Sequence, residues 1–424
     1  MMKRRAHDRP VRIAFVSSNF TWGGSEDLWS ETAAVLAARG HEVHVYKNRL
    51  KRSDGNVATL VELGCRVTEL ARFPLLPNKV YSAVAMLAHR LSIGYQAVRL
   101  WACLAIRRRP DLVVLSQGGN QDGWLLGAVC RRLDLPYVLV SQKASDLYWP
   151  DDAWLPRVQA LYATALHSFF VAEHNHRLTE EQLGSAIPNA SVVRNPFKVA
   201  WEQAPGWPAE DGTLRLACIG RLYVKEKGQD LLLRVLARDK WRARRVALSF
   251  FGAGEHLQAL RGMAAHLQLQ NVAFRGYVSD IAGVWAEHHA LVLGSRAEGL
   301  PLVVVEAMLS GRVPIVTDVA GNAEVIADGE TGFLAAAPTE AAFDEALERA
   351  WQARGQLKEM GVRAATAIRT LVPPDPAATF ADRLLAFARK RGPKALPHLR
   401  SAVAKVSAAA GSKPRVLEVA DRLR

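Results

Sequence analysis

The sequence predicts an α/β protein of two halves, each built on a doubly wound parallel sheet. Short β-branched apolar runs alternate with helical patterns along the whole chain. Runs that are apolar throughout, rather than at every second residue, belong to strands covered by helices on both faces. The runs form two series separated by residues 201–213, which hold two prolines, two glycines and little periodicity and read as a linker. A length of 424 residues also suits two domains of roughly 100–200 residues each.

The elements follow in order. Strands are expected in the first half at 12–17, 42–46, 111–116, 137–141, 168–172 and 191–194. In the second half they are expected at 214–220, 247–252, 271–277, 290–295, 313–318 and 332–335. This gives one Rossmann-like domain over 11–200 and a second over 213–373, facing each other across a cleft. Ligands of such sheets bind at the carboxyl ends of the strands, where the winding reverses.

Composition narrows the class. Half the residues are hydrophobic and 23% are charged, which excludes a disordered chain, a collagen-like repeat and a disulfide-stapled miniprotein. Cys65, Cys103, Cys130 and Cys218 are scattered with no CxxC pair, so neither a zinc knuckle nor a disulfide framework is indicated, and a reducing cytoplasm is the simplest compartment. The net charge of +14 sits largely in two tails. Residues 389–424 carry ten basic side chains against two acidic ones, and residues 1–10 carry four against one. Basic tails on a near-neutral body fit an anionic membrane surface at least as well as nucleic acid.

The basic start leads into a short β-type run with no cleavage site, so no secretion signal is expected. No uncharged apolar stretch reaches the ~18 residues of a spanning helix. The segment 79–106 is apolar but interrupted by His89, Arg90 and Arg99. It fits either a buried helix pair covering a sheet or an amphipathic helix lying on lipid.

The most informative segment runs from Glu298 to Asp318. A strand ends, Glu298-Gly299 makes a turn, Pro301 suits the first turn of a helix, and Gly311 closes it before the next strand. The helix start near Leu300, Pro301 and Leu302 offers free N–H groups and a positive dipole end to a phosphate. Glu306 lies one to two turns in, within reach of sugar hydroxyls at the same mouth. Ahead of it, Gly220-Arg221 and Lys227-Gly228 bracket the loop after the first strand of the second half. Trp22-Gly23-Gly24-Ser25-Glu26 follows the first strand of the first half, and Arg194-Asn195-Pro196-Phe197 closes that half.

These segments together resemble the family 4 glycosyltransferases, the retaining EX7E group with the GT-B fold, over roughly residues 11–390. The resemblance implies transfer of a hexose-type sugar from UDP- or GDP-sugar to a hydroxyl of a saccharide or lipid-linked acceptor, in synthesis of cell-surface polysaccharide or glycolipid. It implies a donor domain in the second half and an acceptor domain in the first, with segment 374–390 crossing back onto the first. Glu298, Arg221 and Lys227 are the implied catalytic residues. Glu306, Gly220, Gly299, Leu300, Pro301, Leu302 and Val278 are implied around the donor, with Glu306 on the ribose and Val278 near the base. Gly23, Gly24, Gln117, Asn120, Gln142 and Lys143 form the expected acceptor or diphosphate loops.

The chemistry of these residues agrees. A departing diphosphate must be neutralised, and Arg221 and Lys227 supply a guanidinium fork and a point charge. No Asp-x-Asp is present to hold a metal, since Asp151 and Asp152 are adjacent, so no metal and no cofactor beyond the donor is expected. His174, His176, His288 and His289 lack the spacing of a zinc site. Gly252 and Gly254 do not complete a dinucleotide fingerprint.

The chain departs from the pattern at one place. Many members carry a histidine after a mid-domain strand, where this sequence has Gln142-Lys143. Neither is a general base near pH 7. In the front-side course usually proposed for such enzymes, the leaving phosphate takes the acceptor's proton. A non-catalytic nucleotide-sugar-binding or scaffold protein of the same fold is the rival reading. A cytoplasmic protein is expected, peripheral at the inner face of the membrane, with no nucleic-acid partner.

Overall fold

The computed structural model describes residues 9–390, apart from 20–21, 51–54 and most of 71–108, of which Ala97, Leu100, Cys103 and Leu104 are described. The tails 1–8 and 391–424, and the rest of the apolar segment 79–106, lie outside the described residues.

The first half carries β1 (Arg12–Ser17), β2 (Glu42–Lys47), β3 (Arg66–Glu69), β4 (Leu112–Gln117), β5 (Tyr137–Ser141), β6 (His167–Phe170) and β7 (Ala190–Val192). They form one parallel sheet in the order β3-β2-β1-β4-β5-β6-β7. The second half carries β8 (Leu214–Ile219), β9 (Val246–Phe251), β10 (Val272–Gly276), β11 (Ala290–Leu293), β12 (Val313–Thr317) and β13 (Phe333–Ala335). Its parallel order is β10-β9-β8-β11-β12-β13. Each expected run became a strand with ends within two residues of those read from sequence. β3 was missed, because Arg-Val-Thr-Glu at a partly exposed sheet edge has no apolar run to reveal it.

The central strands are buried along their length, as in LVVLSQ of β4 and VPIVT of β12. The winding reverses between β1 and β4 in one sheet and between β8 and β11 in the other. The loops leaving those four strands therefore define the two mouths of the cleft.

Residues 201–213 are more firmly held than their composition suggests. Trp201 and Trp207 pack against the second core. Buried Arg312 donates to the Gly206 carbonyl at 2.6 Å and the Pro205 carbonyl at 3.3 Å, with its guanidinium 5.0 Å from the Trp207 ring centroid. Burial lowers the Arg312 pKa to about 10.

The chain then returns to the first half. The helix Pro376–Arg389 starts on a proline, and its Asp375 cap accepts from the Ala378 N–H at 2.8 Å. Phe380, Ala381, Leu384 and Leu385 enter the core of the first sheet. Arg383 donates to the Val192 carbonyl at 2.7 Å.

Candidate active site

Four loops at the carboxyl ends of the strands converge here. After β8, Gly220 at φ +155° turns the chain into a short helix, Val224–Lys227. Arg221 reaches Glu226 at 3.2 Å and remains 58% exposed. Lys227 donates to both oxygens of Glu298, at 2.7 and 2.8 Å. Glu298 is buried in the turn after β11, where Ser295 Oγ donates to it at 2.8 Å. The two cations singled out by sequence are thus each matched to an internal carboxylate.

Glu226 also joins the halves. Its Oε1 accepts from Lys143 Nζ at 2.7 Å and from the Tyr148 hydroxyl at 3.4 Å. Burial works against its charge, but the hydrogen bond and charge of Lys143, with Arg221, hold the Glu226 carboxyl below the ordinary carboxylate range.

The helix Leu302–Leu309 begins one residue after Pro301, which stands at its cap with an extended ψ of 124° rather than in the first turn. Glu306 on this helix is buried, and its Oε1 accepts from the Lys198 backbone N–H at 2.9 Å. Burial pushes the Glu306 carboxyl up, partly opposed by Lys198. Lys198 Nζ lies 3.2 Å from Asp27 in the helix Gly24–Ala38. Leu300 is buried, and Val278 packs against the second core beside exposed Tyr277.

The facing loops touch. A Cβ on Gly299 would lie 2.1 Å from the Gln142 carbonyl oxygen, and one on Gly24 would lie 2.9 Å from Leu302 Cδ1. Gly23, the helix cap, is unobstructed. Glu324 accepts from the His174 N–H at 2.7 Å across the same cleft. His288 and His289 are elsewhere, hydrogen-bonded to the Val284 carbonyl and the Arg215 N–H.

Two of the expected polar side chains are engaged within the first half, although Asn120 also borders a cavity shared with Lys143 and Tyr148. Gln117 donates to the Asp122 carbonyl at 2.6 Å, and Asn120 donates to Thr179 Oγ1 at 2.9 Å and Gln182 Oε1 at 2.7 Å. Both side chains are buried and hold their own loop. A polar, glycine-rich loop has the same composition whether its amides face ligand or scaffold. Gln142 Oε1 accepts from Asn195 at 2.8 Å, leaving its buried Nε2 without a partner. Sequence reasoning also gave no role to Glu226, Lys198 or Asp27. An acid between the two cations of the Gly220–Gly228 motif was the available signal for Glu226.

Comparison with known proteins places these loops in a family. Residues 23–195 match the model "Glycosyl transferase 4-like domain", and residues 213–353 match "Glycosyl transferases group 1". A GDP-mannose-dependent alpha-(1-6)-phosphatidylinositol monomannoside mannosyltransferase of Mycolicibacterium smegmatis is 28% identical, over 69% of this chain and 77% of its own. A glycogen synthase of Mycobacterium tuberculosis is 25% identical, over 78% of this chain and 84% of its own. Among solved structures, Anabaena HepE in complex with UDP and glucose shares the fold with a TM-score of 0.71 at 16% identity, over 89% of this chain and 99% of that one.

Proposed function

This chain belongs to the glycosyl transferases that those two models describe, and from that premise we propose a retaining, metal-independent hexosyltransferase. The second half takes a UDP- or GDP-hexose. The first half presents a hydroxyl of a saccharide or lipid-linked acceptor, in synthesis of cell-surface polysaccharide or glycolipid. The basic tails hold the protein to the anionic inner face of the membrane.

The observation that carries this reading is the pair of cations at the mouth of the second sheet, Arg221 on Glu226 and Lys227 on Glu298. A nucleotide diphosphate exchanges these carboxylates for its own oxygens, and the cations then neutralise the leaving charge. The bond from the anomeric carbon to the diphosphate oxygen breaks while the acceptor oxygen bonds to the same face. The acceptor's proton passes to the departing phosphate. That course preserves the anomeric configuration and asks for no titrating base at Gln142, whose amide takes no proton. Glu298 lies beside the donor sugar, and Glu306 accepts from the ribose hydroxyls.

Thermal-shift titration with UDP, GDP, ADP and their sugar conjugates tests the reading, since stabilisation grows as RT ln(1 + [L]/Kd). One diphosphate is expected to stabilise the protein equally with and without EDTA. Arg221→Ala and Lys227→Ala should each weaken that binding about ten- to hundredfold, the worth of a charge-assisted hydrogen bond. Transfer should disappear in Glu298→Gln. A folded protein that no nucleotide stabilises would overturn the proposal, and turnover lost to EDTA would overturn its metal independence.

A further inference from the structure

We propose that a cavity between the loops following β4 and β5 is the subsite for the acceptor's sugar ring, and that the ring it takes is a neutral pyranose. This rests on the glycosyltransferase reading and adds to it the acceptor's chemistry. The cavity measures about 480 Å³ and is lined by Asp122, Trp124, Lys143, Tyr148 and Trp154 of the first half and Glu226 of the second. That volume lies within the ~300–1,000 Å³ of small-molecule pockets.

Its walls are of two kinds. The Trp124 and Trp154 rings pack at 5.0 Å between centroids, and the Arg157 guanidinium lies 4.9 and 4.6 Å from them, fixing the pair. With Tyr148 they form the large apolar surface that suits the C–H face of a sugar. Opposite in character is the Lys143–Glu226 pair at 2.7 Å. It sets a strong donor beside a strong acceptor, with no net charge. Such a pair matches neighbouring hydroxyls, each of which both gives and takes a hydrogen bond. A carboxylate or phosphate on the ring would gain Lys143 only by facing Glu226.

Position favours the acceptor over a second donor site. Glu226 is the residue that also holds Arg221 at 3.2 Å, so the cavity opens beside the cation expected to meet the diphosphate. Because Glu226 comes from the other half, the subsite is complete only when the two halves meet.

The test uses the full chain and methyl α- and β-hexopyranosides of glucose, galactose and mannose, read by saturation-transfer NMR in the presence and absence of UDP or GDP. At least one glycoside should bind. Tyr148→Ala and Trp154→Ala should weaken it about tenfold or more, while the nucleotide-induced thermal shift stays within twofold in affinity. Tyr148→Phe, which keeps the ring, should retain binding, and methyl glucuronide should bind worse than methyl glucoside. Tyr148 is a partly exposed loop residue, so its variant carries the test if Trp154→Ala fails to fold. Binding by no neutral glycoside, or binding untouched by Tyr148→Ala, would overturn the proposal. A wild-type protein that binds glycoside but no nucleotide would instead strike at the donor reading and leave the cavity standing.

Discussion

Glu306 couples ionisation to both fold and ligand. It is buried on its helix with the Lys198 N–H as a hydrogen-bond partner, and burial raises its pKa. Asp27, buried nearby, is raised for the same reason against the pull of Lys198. An acid with a folded-state pKa above its unfolded value of ~4 holds its proton longer when folded. Stability therefore falls as pH climbs from the unfolded value through the raised one, and stays reduced above it. Glu306→Gln should flatten that fall and raise the melting temperature at pH 8, while weakening donor binding through the lost carboxylate. Melting curves between pH 5 and 8, with and without nucleotide, check both halves of the statement. Glu298, Arg221, Lys227 and Glu306 were legible as candidates because a motif ties the first three to the loops that follow strands and the last to the helix Leu302–Leu309. Tyr148 and Glu226 were not, because their meaning lies in a contact between halves that no local spacing encodes. The anchoring of Asn120 was hidden for the same reason, since its partners Thr179 and Gln182 on the helix Glu173–Leu183 are distant in sequence, while Gln117 is tied to the Asp122 carbonyl within its own loop and to Tyr162.

Among elements, the helix Pro376–Arg389 binds the end of the chain to its beginning. Phe380 is fully buried and meets Phe169 edge to face at 5.0 Å. Phe380→Ala should cost about 3–5 kcal/mol of the first half's stability, the usual toll of a buried aromatic, seen as a lower denaturant midpoint. His167 on β6 lies under the same helix, 5.2 Å from Phe387 between ring centroids. Burial, with Arg383 adding to it, lowers the His167 pKa to about 4. Its contribution is intact above the unfolded value of ~6.5 and is lost as pH falls toward 4, because the unfolded chain takes the proton first. Hydrogen exchange across 376–389, corrected for intrinsic rate, should quicken between pH 7 and 5, and His167→Phe should suppress that change. The strands were readable one by one from their apolar runs. The edge strand β3 was not, since only half of its surface needs to be apolar.

At the scale of the whole molecule, the halves meet through close backbone contact as well as through charge. Gly299 allows the Gln142 carbonyl to approach, and a methyl group there would stand 2.1 Å from that oxygen. Gly299→Ala should leave both sheets folded yet keep the cleft ajar, enlarging the radius of gyration by small-angle scattering and lowering kcat about tenfold or more. Removing 392–424 should spare turnover of a soluble acceptor and weaken binding to vesicles of anionic lipid, read by co-sedimentation at rising salt. The chain leaves the first half near residue 196 and re-enters it at the helix starting on Pro376, so the second half hangs from two separate crossings. Two crossings tether the halves more tightly than one would, and any opening of the cleft must part Lys143 from Glu226.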